Sequence, residues 1–250
     1  MQRVITYEAG MSSDLIHVRD GSPLDHLALC CPDTRAGIAK VAEITGVTPE
    51  LGDPEPGQFY WSGGIPLGQG RFLEILGPNP NFRGFNPFME TIRSFDELRP
   101  AFWYVGTRDF AAFREAAKAA GAPVQRIETI RYERDGNRVD YQRGILGPGF
   151  KGTRPCVIQW NQRPPQMNAP AALTLRSLRL SDPDAVELRS LFATLGIDQP
   201  VAQGPAHIAI DLDTPNGPVS FEGPALAFEG IGAMAKMASL YLRHLFRRAG

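Results

Sequence analysis

The fold is decided by residues 24–46, which read LDHLALCCPDTRAGIAKVAEITG. An apolar strand comes first, then Asp33, then a segment with apolar residues at helical spacing, and finally Gly46. An aspartate side chain accepts hydrogen bonds from the free N–H groups of a helix start, and glycine adopts the left-handed conformation that ends a helix. The stretch therefore predicts a strand followed by a capped amphipathic helix.

The same pattern occurs twice more along the chain. Gly46, Gly121 and Gly196 follow one another at intervals of 75 residues, and Asp109 and Asp184 precede the second and third glycine by 12 residues. An apolar run precedes each aspartate. Self-similarity at a long period indicates that one structural unit is repeated, because every copy must bury the same face. The sequence predicts three related units.

Composition bounds the class of protein. The chain has 250 residues, 43% of them apolar, and 26 basic against 27 acidic residues give a net charge of −1. A nucleic-acid partner is not expected, because it would need a dense basic face. Three cysteines suit a reducing compartment, and neither a signal peptide nor a membrane span is apparent, so we expect a cytoplasmic protein.

One helix followed by several strands, repeated, predicts an α+β fold. Helices would cover one face of curved, mostly antiparallel sheets, and the other face would line a cup. The predicted organisation is a loose N-terminal leader (1–22), two paired βαβββ modules within 23–165 (23–79 and 99–162), a third, shorter module (170–223) and a C-terminal amphipathic helix (224–250). That helix packs on its own domain, on a second subunit of a homodimer, or on a membrane surface.

Two side chains of the first unit are candidates for chemistry. Alternation along the strands points His26 and Glu74 into the same cup. Zinc, manganese, iron and nickel accept an imidazole nitrogen with a carboxylate oxygen, provided that further ligands complete the shell. The alternative is that the two residues pair with each other or with backbone inside an ordinary core.

Four stretches carry a resemblance to a known family: residues 24–33, residues 70–78 (GRFLEILGP), residues 156–160 (CVIQW) and residues 181–184 (SDPD). They resemble the glyoxalase-like branch of the vicinal oxygen chelate superfamily, over roughly residues 23–223. The resemblance implies βαβββ modules that pair into a half-barrel, with a divalent metal held by a histidine of the first strand and a glutamate of the last strand of paired modules.

Carried over by position, the resemblance gives His26 and Glu74 as metal ligands of the first module. The corresponding places in the second module are Phe102 and Gln159. Phenylalanine cannot bind a metal, so the candidate ligand set is His26, Glu74 and Gln159, and Glu74 is also the candidate base.

Aromatic and cationic side chains are expected to complete the cup. The strand pattern points to Trp103 or its neighbour Tyr104, to Tyr141 or Arg143, and to Trp160 as substrate-binding residues. Tryptophan and arginine together suit a planar or anionic organic ligand. The alternative is that both tryptophans belong to the core.

Two functions from different classes follow. The first is a metal-dependent lyase, isomerase or dioxygenase that acts on a small oxygenated organic molecule. The second is a protein that binds or sequesters such a molecule without metal and without changing it. The loop at residues 77–88, which carries three phenylalanines, is either a lid over the site or a segment pinned to the body by its rings.

Overall fold

The computed structural model describes residues 24–54, 57–134, 136–228 and 241. The predicted leader lies outside these residues, and so does the predicted C-terminal helix apart from its first residues and Tyr241. Within the described ranges, no helix has both the length and the apolarity needed to cross a membrane.

Strands dominate the described part of the chain. The α-helices whose two ends are both described are α1 (Thr34–Thr45), α2 (Pro87–Ile92), α3 (Phe110–Ala119) and α4 (Ala185–Thr194). The strands are β1 (Leu24–Cys30), β2 (Glu50–Leu51), β3 (Tyr60–Gly68), β4 (Arg71–Pro78), β5 (Arg99–Gly106), β6 (Val124–Arg134), β7 (Asn137–Leu146), β8 (Phe150–Lys151), β9 (Cys156–Gln162), β10 (Thr174–Asp182), β11 (Val201–Gln203), β12 (His207–Thr214), β13 (Gly217–Pro224) and β14 (Ala227–Phe228).

Two modules share one eight-stranded sheet, in the order β2-β3-β4-β1-β5-β9-β7-β6. β1 and β5 meet antiparallel at its centre, β1 runs parallel to β4, and β5 runs parallel to β9. The two halves therefore repeat one another about an approximate twofold axis between β1 and β5. The sheet curls into a half-barrel, and the predicted α+β fold with paired modules around a cup is confirmed.

The helix ends explain why the sequence folds this way locally. Asp33 accepts a hydrogen bond from the backbone N–H of Ala36 at 2.8 Å, and Asp109 does the same for Ala112 at 2.9 Å. All three repeated glycines have positive φ, between 65° and 77°. The expected cap of α4 is wrong, because the Asp184 side chain makes no capping bond. Instead, Asp182 accepts from the backbone N–H of Asp184 at 2.8 Å.

The third unit has the same element order as the modules but another sheet. Its strands lie in the order β11-β10-β12-β13, so β10 pairs with β12 and not with the last strand. In the first module, by contrast, β1 pairs with the last strand, β4. The third unit is therefore not a structural copy of the first two. It packs behind the large sheet, where Phe192 of α4 contacts the ring of Trp103 edge-on.

Alternation along the central strands separates two apolar cores. One core joins the large sheet to α1, α3 and the third unit, and it includes Leu27, Leu73, Trp103, Val157 and Phe192. The other core lies inside the cup and includes Ala28, Leu76, Phe102, Tyr104, Tyr141 and Ile158. The face of the sheet on which a side chain lies therefore decides whether it can reach the inside of the cup.

Candidate functional site

An irregularity in β1 brings two neighbouring residues to the same place. The register between β1 and β5 shifts between Leu24 and His26. Consecutive side chains of a regular strand point to opposite faces, whereas a bulge re-aims one of them. Asp25 is consequently able to contact the ring of His26, and both residues are buried.

The imidazole of His26 is held on three sides. Its Nδ1 lies 2.7 Å from Oδ1 of Asp25. Its ring stacks between Phe72, at 4.3 Å, and Tyr104, at 4.1 Å between centroids. Because an ionised carboxylate can only accept, Nδ1 carries the proton of this hydrogen bond, and in the neutral ring the lone pair is then on Nε2. That Nε2 lies 3.9 Å from Oε2 of Glu74.

Asp25 in turn is fixed by donors from the second module. Nε1 of Trp160 lies 3.2 Å from both carboxylate oxygens, and Nη2 of Arg163 donates to Oδ2. Nη1 of Arg163 donates to the carbonyl oxygen of Gly70, in the turn between β3 and β4. This network satisfies the hydrogen-bonding capacity of the buried carboxyl group, as burial of a polar group requires.

A cavity of about 130 Å³ opens beside this pair. His26, Glu74, Tyr104, Tyr141, Arg143 and Trp160 are among the residues that line it. Nε and Nη2 of Arg143 each lie 2.8 Å from Oε2 of Glu128, and Nη1 lies 3.4 Å from the hydroxyl of Tyr60. The Tyr60 hydroxyl also lies 3.3 Å from that of Tyr141. A cation and phenolic groups thus line the same cavity as the imidazole and the carboxylate.

Burial keeps the phenols and the thiol in this region protonated. Desolvation raises the pKa of Tyr104 and of Tyr141 far above the ordinary value of a phenol. It also raises the pKa of Cys156 to about 12. The two tyrosines are therefore hydrogen-bond donors at neutral pH, and Cys156 is not a thiolate nucleophile.

The structure brings together five of the residues that the sequence singles out. His26, Glu74, Tyr141, Arg143 and Trp160 all line the cavity. Trp103 does not line it. It is buried on the opposite face of β5, against Phe192, and its place in the cavity is taken by Tyr104.

Gln159 also lies apart from His26 and Glu74. Its Oε1 accepts a hydrogen bond from the backbone N–H of Phe110 at 2.6 Å, at the start of α3 on the helix side of the sheet. Strand register explains the difference. The twofold axis that relates His26 to Phe102 also relates Ala28 to Tyr104. Ala28 pairs with Glu74, and Tyr104 pairs with Cys156. The residue that corresponds to Glu74 is therefore Cys156 and not Gln159.

The donor set decides whether a resident metal fits. With Gln159 turned away, His26 and Glu74 remain, and the twofold axis places the apolar ring of Phe102 opposite His26. Within the described residues, no three His, Cys, Asp or Glu side chains are grouped closely enough to hold a metal ion. Resident catalytic metals normally have three protein ligands. These residues do not fit such a metal, and no step below depends on one.

Three residues of the site escape the sequence reasoning. Asp25 and Arg163 position His26, and Tyr60 lines the cavity. Of the two alternatives Trp103 and Tyr104, it is Tyr104 that lines the cavity. The bulge at Asp25 leaves no signal in the apolar pattern, although the Asp-His pair itself is visible in the sequence.

Comparison with known proteins supports the fold. The structure matches a hypothetical protein from Staphylococcus aureus with a TM-score of 0.51 and 12% identity, covering 81% of this chain and 85% of the other. A mutant of 4-hydroxymandelate synthase from Streptomyces coelicolor gives 0.50 and 16% identity, with 80% of this chain and 62% of the synthase covered. No curated protein sequence matches the chain.

A sequence-family comparison is more specific than these structural matches. The family model described as "Glyoxalase-like domain" matches residues 24–196. This range contains both modules of the large sheet, the Asp25–His26 pair, Glu74 and the first strand and helix of the third unit. Because the match extends over more than half of the chain, the chain belongs to the glyoxalase-like domain family.

Proposed function

We propose that the cup binds a small oxygenated organic molecule and that His26 and Glu74 transfer a proton on it, as in an isomerase or lyase. One observation carries the proposal. Asp25 binds Nδ1 of His26 at 2.7 Å, while Nε2 faces Glu74 at 3.9 Å in the cavity. An imidazole oriented by a carboxylate, with its second nitrogen free, is suited to act as a general base.

In the proposed step, the lone pair of His26 Nε2 takes a proton from a carbon next to a carbonyl group. The electrons of the broken C–H bond form the C=C bond of an enolate, and the carbonyl oxygen becomes an oxyanion. Asp25 stabilises the imidazolium that forms. The proton returns to carbon from His26, or passes through Glu74 to the neighbouring position.

The same cavity supplies donors for the oxyanion. The hydroxyl groups of Tyr60 and Tyr141 and the guanidinium of Arg143 lie together there. Donors that are already in place stabilise developing charge more than water does, because they need no reorganisation. The rings of Phe72, Tyr104 and Trp160 favour a planar ligand.

A second function is a cup that sequesters its ligand without reaction. Phe102, which occupies the position related to His26 by the twofold axis, favours it, since the second module offers no imidazole at that place. In this case His26 and Arg143 act only as hydrogen-bond partners of the bound molecule.

Proton exchange in deuterated water tests the first function. The full chain, purified and kept with chelator, is incubated with 2-oxobutyrate and with phenylpyruvate, and loss of the proton next to the ketone is followed by NMR. We expect exchange above the enzyme-free rate, and a loss of about 100-fold in His26→Gln and in Glu74→Gln, the usual contribution of general acid-base catalysis.

His207→Gln is the matched control, because His207 lies on β12 of the third unit and does not line the cavity. Exchange that persists in His26→Gln would contradict the proposed role of the histidine. Binding of either probe without exchange would favour the sequestering function instead.

We also propose that the protein acts in the cytoplasm. The three free cysteines are all buried and unpaired, which suits the cytoplasm. A homodimer is one of the arrangements that the sequence leaves open, and a mass measurement in solution tests it.

A further inference from the structure

A second chamber adjoins the cavity that contains His26. Its volume is about 160 Å³. Its walls are mainly aromatic and aliphatic: Phe59, Phe88, Phe102, Phe150, Phe228 and Ile145. Phe88 of α2 contacts the rings of Phe102, Phe150 and Phe228 at 5.3 to 6.2 Å between centroids. Phe88, the last phenylalanine of the 77–88 loop, therefore forms part of the chamber wall and also anchors the loop.

The partition between the two chambers consists of side chains. Tyr60, Tyr104 and Arg143 line both of them. The contact of Arg143 Nη1 with the Tyr60 hydroxyl is long, 3.4 Å, and Tyr60 is only half-buried. Hydrogen bonds of this length are weak. The contact of the Tyr60 hydroxyl with that of Tyr141, 3.3 Å, is long as well. Displacement of the Tyr60 side chain would therefore open the partition on its side, while Leu76, Phe102, Tyr104 and Arg143 form the rest of it.

Size and polarity indicate what the second chamber accepts. An engineered apolar cavity of about 150 Å³ takes up a benzene ring. The second chamber has a similar volume and mainly apolar walls; of its charged residues, Arg126 and Glu128 are exposed and Arg143 belongs to the partition. It suits a phenyl group or a chain of about six carbons.

We propose that the ligand has two parts. Its oxygenated head lies against His26 and Glu74 in the first chamber, and an apolar substituent of phenyl size lies beyond Tyr60 and Arg143, in the second chamber. The proposal rests on the function proposed above in one respect, namely that the first chamber takes the head. The substrate class is thus an aryl-substituted or medium-chain oxo compound, and the second chamber selects for the substituent.

Calorimetric affinities of two probes test this proposal on the full chain. The short probe is 2-oxobutyrate, and the long probe is 2-oxo-4-phenylbutyrate, which adds a phenyl group to the same head. We expect the long probe to bind about 10- to 100-fold more tightly, the gain from burying one aromatic ring.

Ile145→Phe fills the second chamber from β7, and we expect it to abolish most of that preference while the affinity for the short probe stays within about twofold. Ile127→Phe is the matched control, because Ile127 is 40% exposed and lines neither chamber. Its circular dichroism and its affinities for both probes should equal those of the unmodified chain.

Equal affinity of the two probes for the unmodified chain would overturn the proposal, and it is also the result expected if another part of the chain fills the chamber. A preference that survives in Ile145→Phe would overturn it too. The proposed function can fail independently of this proposal. If the chain shows the affinity difference but no proton exchange, the cup sequesters the same two-part ligand without reaction.

Discussion

Asp25 accepts a hydrogen bond from Nδ1 of His26 at 2.7 Å, although the two residues are neighbours on one strand. In a regular strand the two side chains would point to opposite faces of the sheet. The bulge in β1 removes that separation, and the rings of Phe72 and Tyr104 hold the imidazole in place. The chemistry proposed for the cup depends on this one local irregularity.

Replacement of Asp25 tests whether the residue positions His26. In Asp25→Asn the amide no longer compels Nδ1 to carry the proton, so we expect proton exchange on the probes to fall by about 10-fold or more. The control is Asp213→Asn, at an exposed aspartate of the third unit. Unchanged exchange in a folded Asp25→Asn protein would show that Asp25 is only structural.

The two tryptophans should behave differently. Trp160→Phe removes the Nε1 donor to Asp25, so we expect weaker probe binding and slower exchange. Trp103 lies behind the sheet, so Trp103→Phe should lower the free energy of unfolding by about 1 to 3 kcal/mol without changing probe affinity. Chemical denaturation and calorimetry on both variants check this. The reverse pattern would mean that the faces of β5 and β9 are assigned wrongly.

Stability should fall in acid because of Asp182. Burial alone would raise the pKa of this carboxyl, but hydrogen bonds from Thr153 and Lys151 outweigh it and hold the pKa below 3.8. Since the folded pKa is depressed, the stabilisation is present above the unfolded pKa and is lost as pH falls through the folded pKa. The Lys151 contact, 2.9 Å long, joins the third unit to β8.

Lys151→Met tests this contact by leaving Asp182 buried without its cation. We expect a loss of about 3 to 5 kcal/mol at neutral pH and a smaller further loss on acidification below about pH 4. Lys40→Met, at an exposed ion pair of α1, should change neither quantity by more than about 0.5 kcal/mol. Equal acid sensitivity of Lys151→Met and the unmodified chain would argue against the linkage.

The cysteines should resist alkylation. Burial raises the pKa of Cys31 and of Cys156 to about 12, and it raises that of Cys30 as well. At about pH 8 we expect iodoacetamide to label the native chain on the order of 1,000-fold more slowly than free cysteine. Denaturant should expose all three thiols together, as mass spectrometry can show. Rapid labelling of one cysteine in the native chain would reveal local opening.

The sequence predicts the fold well because the fold follows from repeated local signals. Asp33 and Asp109 cap their helices, and the three glycines end theirs as expected. The third unit shows the limit of that reasoning. Its element order matches the modules, but strand pairing depends on long-range packing, and β10 pairs with β12.

The site is less predictable because it depends on strand parity. A shift of one position turns a side chain to the other face. This is why Tyr104 replaces Trp103 in the cavity, and why Gln159 faces α3 instead of His26. The pairing of Asp25 with His26 required a bulge, which the apolar pattern does not encode.

The protonation state of the His26 ring tests the central claim most directly. Nitrogen-15 NMR of the four histidines at about pH 8, with His26 assigned by its absence in His26→Gln, separates a protonated ring nitrogen from one with a free lone pair. We predict that His26 carries its proton on Nδ1, with Nε2 unprotonated. A proton on Nε2, or the averaged signals of a freely exchanging imidazole, would contradict the account.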